Sequence, residues 1–141
     1  MKAFRAAVEA GDFAALGDLL AEDVVFRSPV AFKPYEGRAI VAAILRGVGR
    51  VFTDFRYVRE LADADERGSA LVFETVVDGV SVNGIDLIRT NEAGLISELT
   101  VMVRPLSGAN ALAQAVGAQF DQIQAEALAE LHNSPMAGET R

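Results

Sequence analysis

The sequence predicts an α+β fold in which helices precede an antiparallel sheet and a further helix follows it. Three observations support this. Apolar residues mostly recur at helical spacing over residues 2–52, alternate with a period of two over residues 55–103, and return to helical spacing over residues 107–131. Helices followed by strands that tight turns connect are typical of the α+β class.

The N-terminal part is predicted to hold two short helices, a strand and a longer helix. Phe4, Ala7 and Val8 share one face of the first helix. Gly11 can end this helix, and the side chain of Asp12 can cap the next one. The elements predicted after it are a strand over Val24–Ser28, a loop over 30–37 and a helix over Arg38–Phe52.

Four strands are predicted in the middle of the chain. The dipeptide Asp78-Gly79 is a strong hairpin signal between the second and third of them. Asn83-Gly84 interrupts the third strand and predicts a β-bulge there. The predicted strands are Phe55–Leu61, Ser69–Val77, Val80–Thr90 and Leu95–Val103.

A long C-terminal helix is predicted over about 107–131. Apolar residues from Leu112 to Leu131 recur there at spacings of three and four. Residues 133–141 contain turn-forming residues without a pattern, so they predict a flexible tail. With 141 residues in total, we expect one domain over 1–132.

Composition excludes several classes of function. Thirteen Lys and Arg against 20 Asp and Glu give a formal net charge of −7, which disfavours nucleic acid as a partner. The chain has no Cys and a lone histidine, His132, so we expect no disulfide, metal or cofactor. The longest apolar run, Ala39–Leu45, is far shorter than the ~20 residues that span a bilayer. We therefore expect no membrane association and a cytoplasmic location.

The predicted sheet has two apolar faces. Ala70-Leu71-Val72-Phe73, for example, is apolar at both alternating positions. The helices of the chain can cover one face, and a second copy of the chain is a common cover for the other. This pattern predicts a homodimer through the sheet.

Several short stretches, in this order and spacing, resemble the nuclear transport factor 2-like superfamily. Within it they resemble the SnoaL-like and ketosteroid-isomerase-like branch, over roughly residues 2–106. The stretches are Ala10-Gly11-Asp12, Phe26-Arg27-Ser28-Pro29, Gly37, Gly84-Ile85-Asp86-Leu87-Ile88, Asn91-Glu92-Ala93-Gly94 and Val103-Arg104-Pro105-Leu106. The resemblance implies a cone-shaped sheet wrapped around the helices, an apolar pocket for a small hydrophobic molecule, and a dimer through the sheet. It does not define one activity, since this fold hosts isomerases, cyclases and proteins that only bind.

The resemblance also assigns residues to the catalytic positions of ketosteroid isomerases. The base carboxylate position, just before a proline, is occupied by Ser28, and the phenol position on the first helix by Phe4. The position of a second oxyanion donor is occupied by Asp86. Steroid isomerisation by that mechanism is therefore not expected, and Asp86 is the candidate catalytic residue.

The residues around Asp86 in the sequence also support it as the candidate catalytic residue. Asp86 lies in the mostly apolar stretch 82–88, where burial raises the pKa of a carboxyl group and favours its neutral form. The alternation places Gly84, Asp86 and Ile88 on one face of the strand. Alternatively, the Asp86 side chain faces solvent or forms a structural ion pair.

The sequence is consistent with two alternative functions. One is a cofactor-free enzyme with acid/base chemistry of isomerase, cyclase or lyase type through Asp86. The other is a dimeric module that binds a small apolar ligand without turnover. The residues predicted to contact the ligand in either case are Phe26, Ser28, Tyr57, Phe73, Val101 and Val103.

Overall fold

The computed structural model describes residues 1–133. Its helices are α1 (Lys2–Ala10), α2 (Phe13–Leu19), α3 (Arg38–Val51) and α4 (Leu106–Asn133). Its strands are β1 (Leu20–Arg27), β2 (Tyr35–Glu36), β3 (Thr53–Ala62), β4 (Gly68–Val77), β5 (Val80–Thr90) and β6 (Ile96–Arg104).

The strands form one curved sheet in the order β2-β1-β6-β5-β4-β3. The predicted α+β class is confirmed. One pairing differs from the expected antiparallel sheet, because β1 runs parallel to β6 while the other neighbouring strands are antiparallel. The chain between β1 and β6 contains α3 and three other long strands, so no hairpin dictates the relative direction of this pair.

The start of the chain folds as its capping residues indicate. Gly11 ends α1 in the left-handed conformation, with φ of 69°. The Asp12 carboxylate then accepts a hydrogen bond of 3.1 Å from the backbone N–H of Ala15, which caps α2. These two residues turn the chain sharply and place α1 and α2 side by side.

The hairpin between β4 and β5 follows its turn signal, but the expected bulge is absent. Asp78 and Gly79 both have positive φ, as the type I′ two-residue hairpin turn requires. The register between β4 and β5 is continuous through Asn83 and Gly84, so the predicted bulge there is wrong. Register shifts occur instead within the β3–β4 pair and next to Thr90. A close aromatic neighbour, described below, accounts for the glycine at position 84.

The hydrophobic core lies between the helices and the inner face of the sheet. Alternate residues of β4, such as Leu71 and Phe73, are buried there, whereas the intervening side chains are partly exposed. Helix α4 packs on α3 through Ile123, whose side chain occupies the space that a side chain at Gly47 would need. Burial of these apolar surfaces is the main stabilising contribution.

The C-terminal helix extends slightly beyond its predicted bounds. It includes Asn133, which was assigned to the predicted flexible tail; the rest of that tail, 134–141, lies outside the described residues. Among residues 1–133, no helix is both long enough and apolar enough to cross a membrane.

Candidate functional site

A cavity of about 360 Å³ lies between the helices and the inner face of the sheet. Its walls come from α1, α2 and α3 on one side and from β1 and β3–β6 on the other, with Leu112 of α4 closing one part. Its volume falls in the range of ~300–1,000 Å³ found for small-molecule sites. Most of its lining side chains are apolar.

One wall of the cavity is aromatic. The rings of Phe55 and Phe73 stack with centroids 5.1 Å apart, and Phe52 stacks on Phe55 at 5.4 Å. The Tyr57 ring meets Phe55 edge-on, with centroids 4.9 Å apart and an interplanar angle of 89°. These contacts hold the Tyr57 ring in place, because such pairs favour offset-stacked or edge-to-face geometry.

Asp86 lies in the cavity wall and is hydrogen-bonded to Tyr57. The side chain of Asp86 points to the inner face of the sheet, and the residue is 7% exposed. The Tyr57 hydroxyl donates a hydrogen bond of 2.8 Å to Oδ2 of Asp86. Since β4 lies between β3 and β5, the pair spans a whole strand, which a long tyrosine side chain can do. The sequence did not predict this contact.

Burial changes the protonation of both groups. It raises the pKa of Asp86 to about 7, although the hydrogen bond from Tyr57 acts in the opposite direction. Burial, followed by the negative charge of Asp86, raises the pKa of Tyr57 above its ordinary value. Tyr57 therefore keeps its proton, whereas Asp86 exchanges its proton near neutral pH.

Two charged residues of α1 lie close to this pair. Glu9 lines the cavity together with Tyr57 and Asp86. The guanidinium carbon of Arg5 lies 5.7 Å from the centroid of the Tyr57 ring, within the range of a cation–π contact. Nε of Arg5 donates to Glu9 over 3.3 Å, and its Nη1 donates to Glu60 over 3.2 Å. In the sequence, Arg5 and Glu9 show only a helical i,i+4 spacing, which gives no sign of a cavity.

The structure brings most of the predicted site residues together. Asp86 and the predicted ligand contacts Phe26, Tyr57, Phe73 and Val101 line the same cavity. Phe4, at the expected phenol position, also lines it but has no hydroxyl group.

Two predicted ligand contacts lie elsewhere. Val103 is half-buried and packs against the hydrophobic core without lining the cavity. Ser28 lines a separate cavity of about 100 Å³ between β1 and α4, where its Oγ accepts a 3.1 Å hydrogen bond from the N–H of Val30. Phe26 borders both cavities. Because the chain turns at Ser28, strand alternation could not predict which cavity the Ser28 side chain lines.

No metal-binding cluster is present in the described range. Across residues 1–133, no three or more His, Cys, Asp or Glu side chains are arranged to hold a metal ion. The polar groups that the cavity offers to a ligand are the carboxyls of Asp86 and Glu9 and the hydroxyl of Tyr57. These groups can donate, accept and transfer protons.

The chain belongs to the SnoaL-like domain family, whose model matches residues 1–99. The fold agrees with the nuclear transport factor 2-like architecture that the sequence resembles. No curated protein matches the chain.

Solved structures share this fold. A steroid delta-isomerase from Pseudomonas aeruginosa is 42% identical, with a TM-score of 0.82 over 86% of this chain and 89% of that chain. An uncharacterised protein with a cystatin-like fold from Silicibacter pomeroyi is 39% identical, with a TM-score of 0.79 over 84% of this chain and 82% of that chain. A proposed polyketide cyclase from Pseudomonas putida is 21% identical, with a TM-score of 0.60 over 76% and 90% of the two chains, and shows the fold alone.

Proposed function

We propose that this protein binds a small apolar molecule bearing a carbonyl oxygen and catalyses its isomerisation or cyclisation by acid/base chemistry without a cofactor. The observation that carries the proposal is the buried carboxyl group of Asp86, which is held by the Tyr57 hydroxyl in an otherwise apolar cavity wall. In this role Asp86 is the catalytic acid, and Tyr57 orients it.

The chemistry follows from the surroundings of Asp86. A neutral carboxyl group can donate a hydrogen bond or a proton to a carbonyl oxygen as negative charge develops there. A pKa of about 7 leaves Asp86 able both to give and to recover a proton near neutral pH. An unpartnered carboxylate buried in such a wall costs several kcal/mol, and a fold that needed only a core is better served by an apolar residue.

The comparisons support the reaction class more than a particular substrate. The Pseudomonas aeruginosa relative is described as a steroid delta-isomerase. In the present chain Ser28 and Phe4 occupy the base and phenol positions that the resemblance assigns to such isomerases, and Ser28 lines a different cavity from Asp86. We therefore propose enolisation of an apolar ketone as the elementary step and do not propose the base-and-phenol mechanism.

Exchange of the α-protons of 2-tetralone in D2O, followed by proton NMR, tests this step. We expect the protein to accelerate the exchange above the buffer rate, and Asp86→Asn to reduce the acceleration by about 10²-fold or more. Tyr57→Phe should also reduce it, because Asp86 loses the donor that orients it. Asp23→Asn, which changes an exposed carboxylate on β1, serves as the control and should leave the rate unchanged. No acceleration by the wild-type protein, or full acceleration by Asp86→Asn, would overturn the proposal.

A binding module without turnover is the second candidate. It is favoured by the absence of a carboxylate at position 28 and of a phenol at position 4. The same NMR samples distinguish the two functions. Saturation transfer from the protein to 2-tetralone without accelerated exchange indicates binding alone, whereas binding with exchange indicates catalysis.

The proposal also includes a second copy of the chain on the outer face of the sheet. Four large apolar side chains are exposed there, two of them on β3: Val58, Leu61, Leu87 and Met102. The charged pair of Arg56 and Glu74 lies beside them on the same face, where it can be matched by the same pair of a two-fold-related copy. Burying this face in a homodimer would remove its apolar surface from water.

A further inference from the structure

The cavity contains a second carboxylate with different surroundings. Glu9 lies in the last turn of α1 and lines the cavity that also holds Asp86. Asp86 is buried, whereas the Glu9 side chain is 47% exposed. One cavity therefore presents a buried carboxyl group that favours its neutral form and an accessible carboxyl group beside a cation.

A series of contacts connects the carboxyl groups of Glu9 and Asp86. Arg5 donates to Glu9 over 3.3 Å and lies against the ring of Tyr57, whose hydroxyl donates to Asp86. Arg5 also donates to Glu60, so its guanidinium group is held between two carboxylates. The ion pair with Arg5 holds the Glu9 carboxylate beside the cavity.

We propose that Glu9 is the catalytic base that works opposite Asp86 in the enolisation of a bound apolar ketone. This inference rests on the proposed function. It supplies the second proton-transfer group, which the sequence did not reveal because position 28 holds a serine. A buried carboxyl group and an accessible carboxylate that line one cavity can divide the roles of acid and base.

The step balances in protons and electrons. The Glu9 carboxylate takes a proton from the carbon next to the carbonyl group, and the electron pair of that C–H bond forms the new C=C bond. The π pair of the C=O bond moves to oxygen, which takes the proton of Asp86. Asp86 is left as a carboxylate that accepts the Tyr57 hydrogen bond. Return of the proton from Glu9 to a carbon atom, and of the enol proton to Asp86, releases the ketone.

The charged and titratable groups near the pair come from α1, from β3 and from the N-terminus. Arg5 contacts Glu9, Glu60 and the ring of Tyr57, Tyr57 donates to Asp86, and the amino group of Met1 pairs with Glu60 over 3.3 Å. Among the cavity-lining residues, all of which belong to the described range, Glu9, Tyr57 and Asp86 are the titratable ones. The exchange rate should therefore fall above about pH 7 as Asp86 loses its proton.

Two matched variants test the assignment, because Arg5 pairs with two glutamates and Glu9 is the one that lines the cavity. We expect Glu9→Gln to slow the exchange of 2-tetralone by about 10²-fold or more, with binding by saturation transfer retained. Glu60→Gln should slow the exchange much less, because Glu60 contacts Arg5 but does not line the cavity, and Asp23→Asn should keep the wild-type rate.

The outcomes separate this inference from the proposed function. If Asp86→Asn abolishes exchange while Glu9→Gln keeps the wild-type rate and pH profile, Glu9 is not the base and the proposed function stands. If Glu60→Gln slows exchange as strongly as Glu9→Gln, the effect arises from the position of Arg5 and the assignment of Glu9 is overturned. If the wild-type protein does not accelerate exchange, the proposed function and this inference both fail.

Discussion

Gly84 on β5 lies directly opposite Phe73 on β4, and the Phe73 ring occupies the space that a side chain at position 84 would need. Phe55 stacks on this ring, and Tyr57 packs against Phe55. The glycine therefore sets the position of the aromatic wall that supports the Tyr57–Asp86 pair. A glycine inside a strand often marks such a close approach rather than a bulge.

Gly84→Val is expected to disturb both stability and the cavity. The new side chain would collide with Phe73 and with the carbonyl oxygen of Met102, and such overpacking costs roughly 1–3 kcal/mol. Urea unfolding measures the loss of stability, and saturation transfer to 2-tetralone measures the loss of binding as Phe73 moves into the cavity.

Gly17→Ala is the matched control for that substitution. A Cβ atom at Gly17 meets the Cβ of Ala42 at 3.8 Å, an ordinary contact, and the residue lies inside α2. We expect this variant to be unchanged or more stable by up to about 1 kcal/mol, because alanine favours the helix. A Gly84→Val protein as stable as the wild type would contradict the close packing of Phe73.

Asp86 is expected to make stability depend on pH. Its pKa of about 7 in the folded protein exceeds the 3.8 of a free carboxyl group, so the folded state binds the proton more tightly than the unfolded chain. The contribution of this group is therefore most favourable below about pH 4, falls as pH rises to about 7, and is constant above that. Each pKa unit corresponds to about 1.4 kcal/mol.

Urea unfolding across this pH range checks the expectation. Relative to Asp86→Asn, the wild-type protein should lose a few kcal/mol of stability between about pH 4 and pH 7. Asp23→Asn, at an exposed position, should follow the wild-type curve. If the unfolding free energies of the wild-type and Asp86→Asn proteins change with pH in parallel, Asp86 has the same pKa in the folded protein as in the unfolded chain.

The outer face of the sheet is expected to form a homodimer. Light scattering at micromolar concentration should give about twice the 15.0 kDa of one chain. The double substitution Leu87→Lys with Met102→Lys should give monomers, because both side chains are exposed on that face and lysine keeps its charge in water.

Leu128→Lys is the control for the dimer. Leu128 is also exposed but lies on α4, so this substitution should leave the mass at that of a dimer. A wild-type protein that runs as a monomer would remove the argument from the two apolar faces of the sheet.

Helix α4 is expected to be held by apolar packing more than by its ion pairs. Ile123 is fully buried, so Ile123→Ala should cost roughly 2–4 kcal/mol. Glu126 pairs with Arg50 at 2.9 Å and with Arg46 at 3.7 Å, but all three side chains are partly exposed. Glu126→Gln should therefore cost less than about 1 kcal/mol.

Urea unfolding at low and high salt separates the two contributions to the docking of α4. The loss of unfolding free energy caused by Glu126→Gln should be smaller in high salt, because salt screens exposed charges. The loss caused by Ile123→Ala should be the same at both salt concentrations. A larger loss for Glu126→Gln than for Ile123→Ala would show that the ion pairs dominate.

The local pattern of apolar and turn-forming residues was sufficient to predict most of the fold. The helical spacing of apolar residues predicted α3 and α4 to within a few residues, and the Asp78-Gly79 turn predicted the β4–β5 hairpin. The alternation along β5 also predicted that Gly84, Asp86 and Ile88 share one face of the strand. These features depend on residues close together in the chain, so they can be read from the sequence.

The tertiary structure decided which side chains meet. Tyr57 and Asp86 are 29 positions apart, and their hydrogen bond depends on the curvature of the sheet and on the strand between them. Glu9 reaches the same cavity because α1 packs over β3, and Ser28 leaves it because the chain turns after β1. The amino-acid sequence by itself determined the SnoaL-like fold and the residues that share a strand face with Asp86. The packing of distant elements decided the partners of Asp86, since no local spacing specifies a contact between residues that only the folded core brings together.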